Sequence, residues 1–585
     1  MTTTAHSAAT TPRTKRWLLP APDQASLAQN LQDALRIGAP AARVLVARGL
    51  ANVESARRFL APTLADLHDP LLMRDMPQAV ERLLRAIRGG EKILIYGDYD
   101  VDGTSSVVLL TKAIELAGGA AHYHVPHRLK DGYGMRSEVV ESAAAQGVKL
   151  IVSVDTGIRA AEVVSRANAL GIDVIITDHH LPESALPPAI AVLNPNRPDC
   201  NYPSKHLCGA GVAFKLVQAL LASLDWPLGK AQRISESLLK MVAIATVADV
   251  VPLTGENRAM VKHGLEGLRS VRNPGLRALL DVAGFTDGSA PSSRQVGFQI
   301  APRLNAAGRM DTAKTVIELF LTNDMERART LARELHDQNA ERQQVEAEIR
   351  ELCEQIEVPE DAAALVYYAE NWHRGVLGIV ASRIVERLHR PVFVLGRNEE
   401  DGLAQGSGRS IEAFHLLNAL ESMPDLFVRF GGHSHAAGVT LDPARIDEFR
   451  RRFNEYALSC LSPEDLRPCL SIDAVLEFSD ITDAAVDEIF GLAPFGHSNP
   501  APLFIARNVE IPNAPGLLKE KHLRVAARQN GRWLNLKAWN FAQRAAELTP
   551  GARVDMAFTL EEDAYSAARG YPGWCATLRD VRPVS

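Results

Sequence analysis

The chain has 585 residues, of which 46% are hydrophobic and 23% are charged, and its formal net charge is −6. This composition is that of a globular protein and excludes a disordered or fibrous chain, and the length predicts at least two hydrophobic cores. The negative net charge would repel a polyanion. A nucleic-acid partner would therefore require locally concentrated basic groups or bound metal ions.

The cysteine pattern and the absence of long apolar runs predict the compartment. The six cysteines include no Cys-x-x-Cys pair, which favours a reducing environment, and we expect a cytoplasmic protein. The first residues lack the apolar core of a signal peptide, and no stretch of about eighteen apolar residues occurs. We therefore expect neither secretion nor a membrane partner.

The predicted elements begin with a flexible, Thr-, Ala- and Pro-rich start and a helical lead-in, together residues 1–74. From Lys92 onward strand-like and helix-like runs alternate, which is typical of a parallel α/β sheet, and we assign residues 75–320 to this domain. The segment from Asn323 to Ile356 has no Pro or Gly. It predicts one long connecting helix within residues 321–358.

Two further domains are predicted after this helix. Residues 359–460 form a second α/β domain, with strands at ALVYYA and PVFVLG and glycine-rich turns at GSGRS and FGGHSHAAG. Short apolar runs separated by turns then predict a small OB-like β-barrel over residues 461–585. The predicted fold class is α/β with a C-terminal β-barrel.

The most informative pattern places Asp98, Asp100 and Asp102 directly after a predicted strand, in GDYDVDG. Carboxylates crowded at a strand end repel one another, and divalent cations are the usual compensation. Taken alone, this run also fits a solvated acidic turn.

The next two predicted strands also end in metal-ligating residues, Asp155 in SVDTG and Asp178, His179 and His180 in TDHH. The carboxyl ends of parallel strands meet at one edge of a sheet. Asp249 lies among apolar residues, where it either ligates a metal or caps a helix. Mixed carboxylate and imidazole ligands favour Mn²⁺, with Mg²⁺ as the alternative, and their number predicts two ions suited to phosphodiester hydrolysis.

With GDYDVDGTSS, SVDTG, TDHH and ADVVPL in this order, the chain resembles the DHH phosphoesterase family. The segments APRLNAAGR, GSGRS, FGGHSHAAG and PFGHSNP resemble the members that degrade single-stranded DNA, and the similarity runs from about residue 50 to the C-terminus. It implies a DHH domain over 75–320, a DHHA1-type domain over 359–460 and an OB-like domain over 461–585.

The resemblance implies two metal sites that share one carboxylate. One ion would be held by Asp98, Asp100 and Asp155, and the other by Asp102, Asp155, His179 and Asp249. The implied catalytic residues are Asp155, His179 and His180, and His180 would contact the scissile phosphate. The alternative for His180 is a hydrogen bond to a neighbouring carboxylate that supports the site.

Five residues are candidates for phosphate binding. Arg303 and Arg309 stand in APRLNAAGR, which looks like a loop preceding a helix, and the alternative for each arginine is a structural salt bridge. Ser407 and Arg409 in GSGRS combine a hydroxyl, flexible glycines and a cation, and the resemblance implies that they bind a terminal 5′-phosphate. His433 is implied to lie nearby, with loop packing as its alternative.

The predicted barrel carries basic residues interleaved with aromatic ones, a pattern that suits single-strand binding by an OB-fold. We expect DNA contacts from Lys521, Arg524, Arg532 and Trp533, although aromatic residues of a small barrel also form its core. Ser498 in PFGHSNP stands where the family pattern has glycine.

The resemblance thus implies a 5′-to-3′ single-strand exonuclease that releases 5′-mononucleotides in DNA repair and recombination. A helicase and a single-strand-binding protein are the expected partners. The alternatives are a DHH phosphoesterase of small substrates, against which the extra barrel argues, and an inactive replication-complex subunit, against which the complete ligand set argues.

Overall fold

The computed structural model describes residues 15–21, 24–128, 130–359 and 361–584, and the chain divides into two compact units. One unit, called here the sheet unit, comprises Ala61–Glu348 and Pro494–Pro500. The second unit comprises the described residues up to Leu60, Ile349–Ala493 and those from Ala501 onward. The predicted flexible start falls mostly on residues 1–14, outside the described residues.

The first described elements belong to the second unit. They are β1 (Arg16–Leu18), α1 (Ala25–Leu35), α2 (Ala39–Ala47) and α3 (Val53–Leu60). These helices are the predicted helical lead-in: α1 and α3 bury one apolar face, and α2 is buried over most of its surface.

A five-stranded parallel sheet forms the centre of the sheet unit. Its strands are β2 (Lys92–Tyr96), β3 (Ala121–His124), β4 (Val148–Val154), β5 (Asp173–Thr177) and β6 (Ala191–Leu193). Their order is β3-β2-β4-β5-β6, and all neighbours are parallel. This confirms the predicted α/β class, and it brings the carboxyl ends of β2, β4 and β5 side by side.

Among its described residues, the sheet unit also contains twelve helices, of which the last continues into the second unit. They are α4 (Met76–Gly89), α5 (Val101–Leu116), α6 (Ser137–Ala145), α7 (Ala161–Ala169), α8 (Gly209–Ala222), α9 (Lys230–Ala248), α10 (Gly255–Gly267), α11 (Pro274–Val282), α12 (Ser293–Gln295), α13 (Ala301–Met310), α14 (Lys314–Leu321) and α15 (Met325–Gln355). The last of these is the predicted connecting helix. The prediction of a loop at APRLNAAGR is wrong, because these residues form α13, and a π-helical turn at Val296–Ile300 leads directly into this helix. Pro302 stands in the first turn of α13, where the missing N–H of proline costs little.

The segment Pro494–Pro500 packs within the sheet unit, although it lies in the part of the sequence assigned to the barrel. The backbone N–H of Leu253 donates to the carbonyl of His497 at 2.9 Å, and the Ser293 hydroxyl donates to the carbonyl of Phe495 at 2.6 Å. Ser498 has a φ of 59°, a left-handed conformation that favours the glycine of the family pattern.

The second α/β domain is part of the second unit. Its elements are β7 (Leu365–Ala369), α16 (Leu377–Leu388), β8 (Val392–Arg397), β9 (Ala404–Arg409), α17 (Leu416–Glu421), β10 (Arg429–Gly432), β11 (Ala436–Leu441) and α18 (Ile446–Cys460), and the sheet order is β10-β11-β9-β8-β7. The prediction of a turn at GSGRS is wrong, because its first four residues belong to β9, which pairs with β11 on one side and with β8 on the other. Glycine is needed there for close packing, since a Cβ on Gly408 would lie 2.5 Å from the Phe393 ring.

The C-terminal elements are β12 (Cys469–Ser471), β13 (Ala474–Val475), α19 (Asp483–Phe490), β14 (Leu503–Glu510), β15 (Gly516–Leu518), β16 (His522–Gln529), β17 (Arg532–Ala538), β18 (Arg553–Glu562), α20 (Ala564–Ala567) and β19 (Trp574–Pro583). Because β14 pairs with both β18 and β16, the strands β14, β18, β19, β17 and β16 form a ring of pairings. The N-terminal strand β1 pairs in parallel with β12, and Trp17 Nε1 donates to Asp580 at 2.7 Å.

Within the described part of the chain, no helix has the length and apolar character that would let it cross a membrane.

Candidate metal centre

The turn between β2 and α5 presents the first three aspartates. Asp100 caps α5, because its side chain accepts from the Gly103 N–H at 2.9 Å, and Asp102 lies buried in the first turn of the helix. A Cβ on Gly103 would lie 2.6 Å from the carbonyl oxygen of Asp98. The turn therefore requires glycine at this position, and it holds Asp98 against the start of the helix.

Asp155 follows β4 in a strained backbone conformation. Its φ of 59° lies in the left-handed region, and its N–H donates to the Thr177 carbonyl of β5 at 2.9 Å. Left-handed backbone at a residue other than glycine costs on the order of 1–3 kcal/mol and is frequent at functional sites. The carboxyl group is buried, so the strained residue places an acidic group inside the protein.

The structure brings all six predicted metal ligands together in the sheet unit. Donor atoms of Asp98, Asp100 and Asp155 lie within 4.8 Å of one another, as do those of Asp102, His179 and Asp249. The two groups meet at His179, whose Nε2 is 3.2 Å from Asp155 Oδ1 and 3.8 Å from oxygens of both Asp102 and Asp249. Asp155 thus adjoins both groups, as a bridging ligand must.

Three oxygens of this cluster are buried without a hydrogen-bond partner among the described residues. They are Oδ1 of Asp98, Oδ1 of Asp155 and Oδ2 of Asp249. A buried polar atom with no partner costs about 1–3 kcal/mol, and more when it is charged. Converging, unsatisfied carboxylate oxygens beside an imidazole are the donor set that Mn²⁺ or Mg²⁺ prefers, so the residues fit two divalent ions.

The electrostatics of the metal-free cluster show the same need for positive charge. Burial raises the pKa of Asp98, Asp102 and Asp155 above the usual aspartate range, and neighbouring carboxylates add to the rise. Burial and neighbouring aspartates raise the pKa of Asp249 to about 9. Burial lowers the pKa of His179, which keeps its imidazole neutral and able to ligate a metal.

The N-terminus of α8 supports the cluster, a feature that the sequence analysis missed. The backbone N–H groups of Gly209 and Ala210 donate to Asp102 at 2.5 and 2.7 Å, and a helix N-terminus favours negative charge. A Cβ on Gly209 would lie 2.6 Å from Asp155 Oδ1. The paired glycines of CGAG were the available signal, but their spatial neighbours could not be inferred from spacing.

Asp178 lies outside the metal-ligand groups and holds His180 instead. It is fully buried and accepts from the backbone N–H groups of Ile158 and His179 at 2.9 and 2.7 Å. Its Oδ1 is 2.7 Å from His180 Nδ1. Burial lowers the pKa of His180, but the hydrogen bond and charge of Asp178 outweigh it and the net shift is upward.

The two candidate arginines of α13 differ in their surroundings. Arg303 is engaged with the helix framework, since Nε donates to His336 at 3.2 Å and Nη1 donates to the Gln299 carbonyl. Arg309 belongs to the part of α13 that packs on the aspartate turn, where a Cβ on the adjacent Gly308 would lie 2.6 Å from the Tyr99 carbonyl. Arg128 is a further cation beside this turn, 4.8 Å from the centre of the Tyr99 ring, and the sequence analysis missed it.

Ser407, Arg409 and His433 form a group in the second unit. Ser407 and Arg409 are two residues apart on β9 and therefore share one face. A Cβ on Gly378, near the start of α16, would lie 3.0 Å from Arg409 Nη2 and 3.5 Å from Ser407 Cβ. The N–H of His433 donates to Ala436, which is the strand partner of Arg409. A hydroxyl and a guanidinium thus lie beside a helix N-terminus, which suits an anion.

The outward face of β16 and β17 carries several of the residues predicted to bind DNA. Arg524 lies opposite Lys537 and Arg528 lies opposite Trp533 on the two strands. Trp533 is 54% exposed, and the Arg528 guanidinium is 5.7 Å from the centre of its ring. Arg532 is exposed at the start of β17, and Lys521 is exposed just before β16. The exposed Tyr565 and Tyr571, between β18 and β19, were missed because nothing in their spacing marks them as outward.

Comparison with known proteins matches three family models to the chain. The DHH family N-terminal domain matches residues 92–246, the DHHA1 domain matches 361–459 and the RecJ OB domain matches 472–570. The single-stranded-DNA-specific exonuclease RecJ of Dickeya dadantii is 41% identical over 500 residues, covering 83% of this chain and 85% of that protein.

Two crystal structures of RecJ from Thermus thermophilus resemble this structure over 97% of the chain. The complex with Mn²⁺ has a TM-score of 0.82 and 32% identity, covering 80% of that chain, and the complex with Mg²⁺ has a TM-score of 0.76 and 29% identity, covering 79%. These are the two ions predicted from the donor set. The chain therefore belongs to the RecJ family, within the DHH family of proteins.

Proposed function

We propose that this protein is a metal-dependent, single-stranded-DNA-specific exonuclease that hydrolyses phosphodiester bonds from the 5′ end and releases 5′-mononucleotides. The observation that carries the proposal is the set of buried, unsatisfied carboxylate oxygens that converge beside His179. The similarity of the chain to RecJ proteins supports a nucleic-acid substrate. DNA repair and recombination are the processes that such an activity serves.

Asp98, Asp100 and Asp155 would hold one ion, and Asp102, Asp155, His179 and Asp249 the other. When bound, the ions would activate the attacking water and stabilise both the entering and the leaving oxygens. His180, held by Asp178 through Nδ1, would contact the scissile phosphate and neutralise its developing charge. Arg309 would bind a phosphate nearby, and Arg303 would serve mainly to hold α13.

The 5′ polarity would come from the group of Ser407, Arg409 and His433. An arginine and a hydroxyl at a helix N-terminus would bind the terminal phosphate and thereby determine which linkage is cut. We assign this group to a substrate-binding domain over 359–460, joined by residues 321–358 to the catalytic domain over 75–320.

The domain over 461–585 would recruit the strand without reading its sequence, through Lys521, Arg524, Arg532 and Trp533. Because the substrate is single-stranded, a helicase would supply it and a single-strand-binding protein would accompany it in the cytoplasm.

The test is digestion of single-stranded DNA labelled at either end, with Mn²⁺ present or chelated, beside duplex DNA and a dinucleotide. We expect early release of 5′-mononucleotides from the single strand alone and only with metal. Cleavage of the dinucleotide alone would overturn the proposal in favour of a small-substrate phosphoesterase, and absence of all cleavage would favour a non-enzymatic role.

A further inference from the structure

Tyr133 lies in the connection between β3 and α6 and contacts two residues of the metal centre. Its hydroxyl is 3.2 Å from the backbone carbonyl oxygen of Asp155 and 3.1 Å from Nδ1 of His180. The rings of Tyr133 and His180 are tilted, with their centres 5.5 Å apart. One side chain thus links the strained residue after β4 to the histidine after β5.

The hydrogen-bond roles at this contact follow from the chemistry of each group. The Asp155 carbonyl can only accept, so the Tyr133 hydroxyl donates its single hydrogen there. Asp178 is a buried carboxylate 2.7 Å from His180 Nδ1, so this nitrogen carries a hydrogen and the Tyr133 oxygen is a second acceptor beside it. This arrangement leaves His180 Nε2 as the ring nitrogen that can meet a substrate.

The connection is held on both sides of Tyr133. Before it, Asp131 accepts from the His127 N–H at 2.7 Å and pairs with Arg136 at 2.7 Å. After it, the buried Tyr96 hydroxyl donates to the Gly134 carbonyl at 3.3 Å. The two neighbouring glycines have positive φ values, 78° and 104°, so the backbone turns on either side of the tyrosine. Tyr133 is 53% exposed, and its hydroxyl reaches the metal centre from the surface.

We infer that Tyr133 is a positioning residue, which holds the His180 ring and the Asp155 backbone together so that Nε2 meets the scissile phosphate. The inference rests on the proposed function, because it assigns Tyr133 a part in the same cleavage. Substrate binding would depend on other residues, and Tyr133 would affect the chemical step.

The test is Tyr133→Phe, which keeps the ring and removes both hydrogen bonds. We expect kcat on single-stranded DNA to fall about ten- to hundredfold, as a small misplacement of a catalytic group can cause, with KM unchanged. Tyr368→Phe, which removes a hydroxyl that has no hydrogen-bond partner among the described residues, is the matched control and should keep wild-type kcat. In a His180→Ala background the Tyr133→Phe change should cause no further loss, because the two residues act as a unit.

Three results would overturn the inference: wild-type kcat for Tyr133→Phe, a rise in KM alone, or a full additional loss in the His180→Ala background. A second measurement does not depend on activity. In protein labelled with ¹⁵N-histidine, the Nδ1 resonance of His180 should move in Tyr133→Phe, and an unmoved resonance would also reject the inference. If wild-type protein cleaves no single-stranded DNA, the proposed function fails, whereas the resonance still decides whether Tyr133 positions His180.

Discussion

The metal centre and the outward face of β16 and β17 carry charge in opposite ways. At the centre the acidic groups are buried or half-buried and lie close together, and they include three carboxylate oxygens without a hydrogen-bond partner among the described residues. On the outward face, positive groups are exposed, and two of them are paired within the chain, Arg528 with Glu510 at 2.7 Å and Lys537 with Asp563 at 2.7 Å. Buried like charges need an external ion to be stable, whereas exposed paired charges are stable without a ligand.

The largest effect should come from the carboxylate that adjoins both ligand groups. Asp155→Ala should lower kcat more than about a thousandfold, because metal ions contribute several kcal/mol to the transition state and about 1.36 kcal/mol corresponds to a factor of ten. Mn²⁺ binding, followed by calorimetry, should weaken in the same variant. Asp225→Ala, at an exposed aspartate, is the control and should leave both unchanged. A fully active Asp155→Ala protein would remove the assignment of this cluster as a metal centre.

A second large effect concerns the stability of the metal-free protein. Its buried aspartates have pKa values above those of the unfolded chain, and that of Asp249 rises from 3.8 to about 9. The native state then binds more protons than the unfolded state. The contribution of these protonated carboxyl groups to the free energy of unfolding is complete below their pKa in the unfolded chain, and it is lost as the pH rises through their pKa in the folded protein.

We therefore expect Tm, measured by calorimetry with a chelator present, to fall between about pH 4 and about pH 9, and to recover when Mn²⁺ is added. Asp249→Asn, which cannot ionise, should flatten this dependence. The same slope in wild type and Asp249→Asn would contradict the predicted role of that carboxyl.

A moderate effect is expected at the phosphate group of the second unit. Arg409→Ala should raise KM about tenfold for 5′-phosphorylated single strands, because a hydrogen bond to a charged group is worth about 1.5–3 kcal/mol. Strands with a 5′-hydroxyl should be cleaved as before. Arg429→Ala, at an exposed arginine of the same sheet, should leave both substrates unaffected. Equal losses on the two substrates would mean that Arg409 does not recognise the terminal phosphate.

The smallest effect should come from the outward face. Trp533→Ala should weaken single-strand binding about fivefold, since stacking of one base is worth about 1–3 kcal/mol, and kcat should stay the same. Binding measured by fluorescence anisotropy at several salt concentrations should keep its salt dependence, because no cation is removed. Leu228→Ala, at another exposed apolar residue, is the control. A lower kcat would mean that Trp533 affects the cleavage step and not only DNA binding, which would contradict the predicted difference between the two regions.

The set of six metal ligands, which includes Asp249, was implied by the resemblance to the DHH family. The residue pattern alone predicted the parallel sheet, the long helix and the convergence of the ligands that follow three neighbouring strands. These predictions depend on local rules, because the ends of parallel strands meet at one edge whatever the rest of the chain does. The glycine-rich GSGRS shows where local rules fail. Its glycines are typical of a turn, but the Phe393 ring on the neighbouring strand makes them necessary inside β9.

By itself the sequence thus determined which residue types stand after each strand, and therefore the chemistry that the sheet edge can support. Only the tertiary structure decided that Asp178 is directed to His180 rather than to a metal, that Gly209 brings helix amides to Asp102, and that β1 pairs with β12. The physical reason is that these contacts join residues through side-chain direction and long-range packing. Spacing along the chain constrains neither of them.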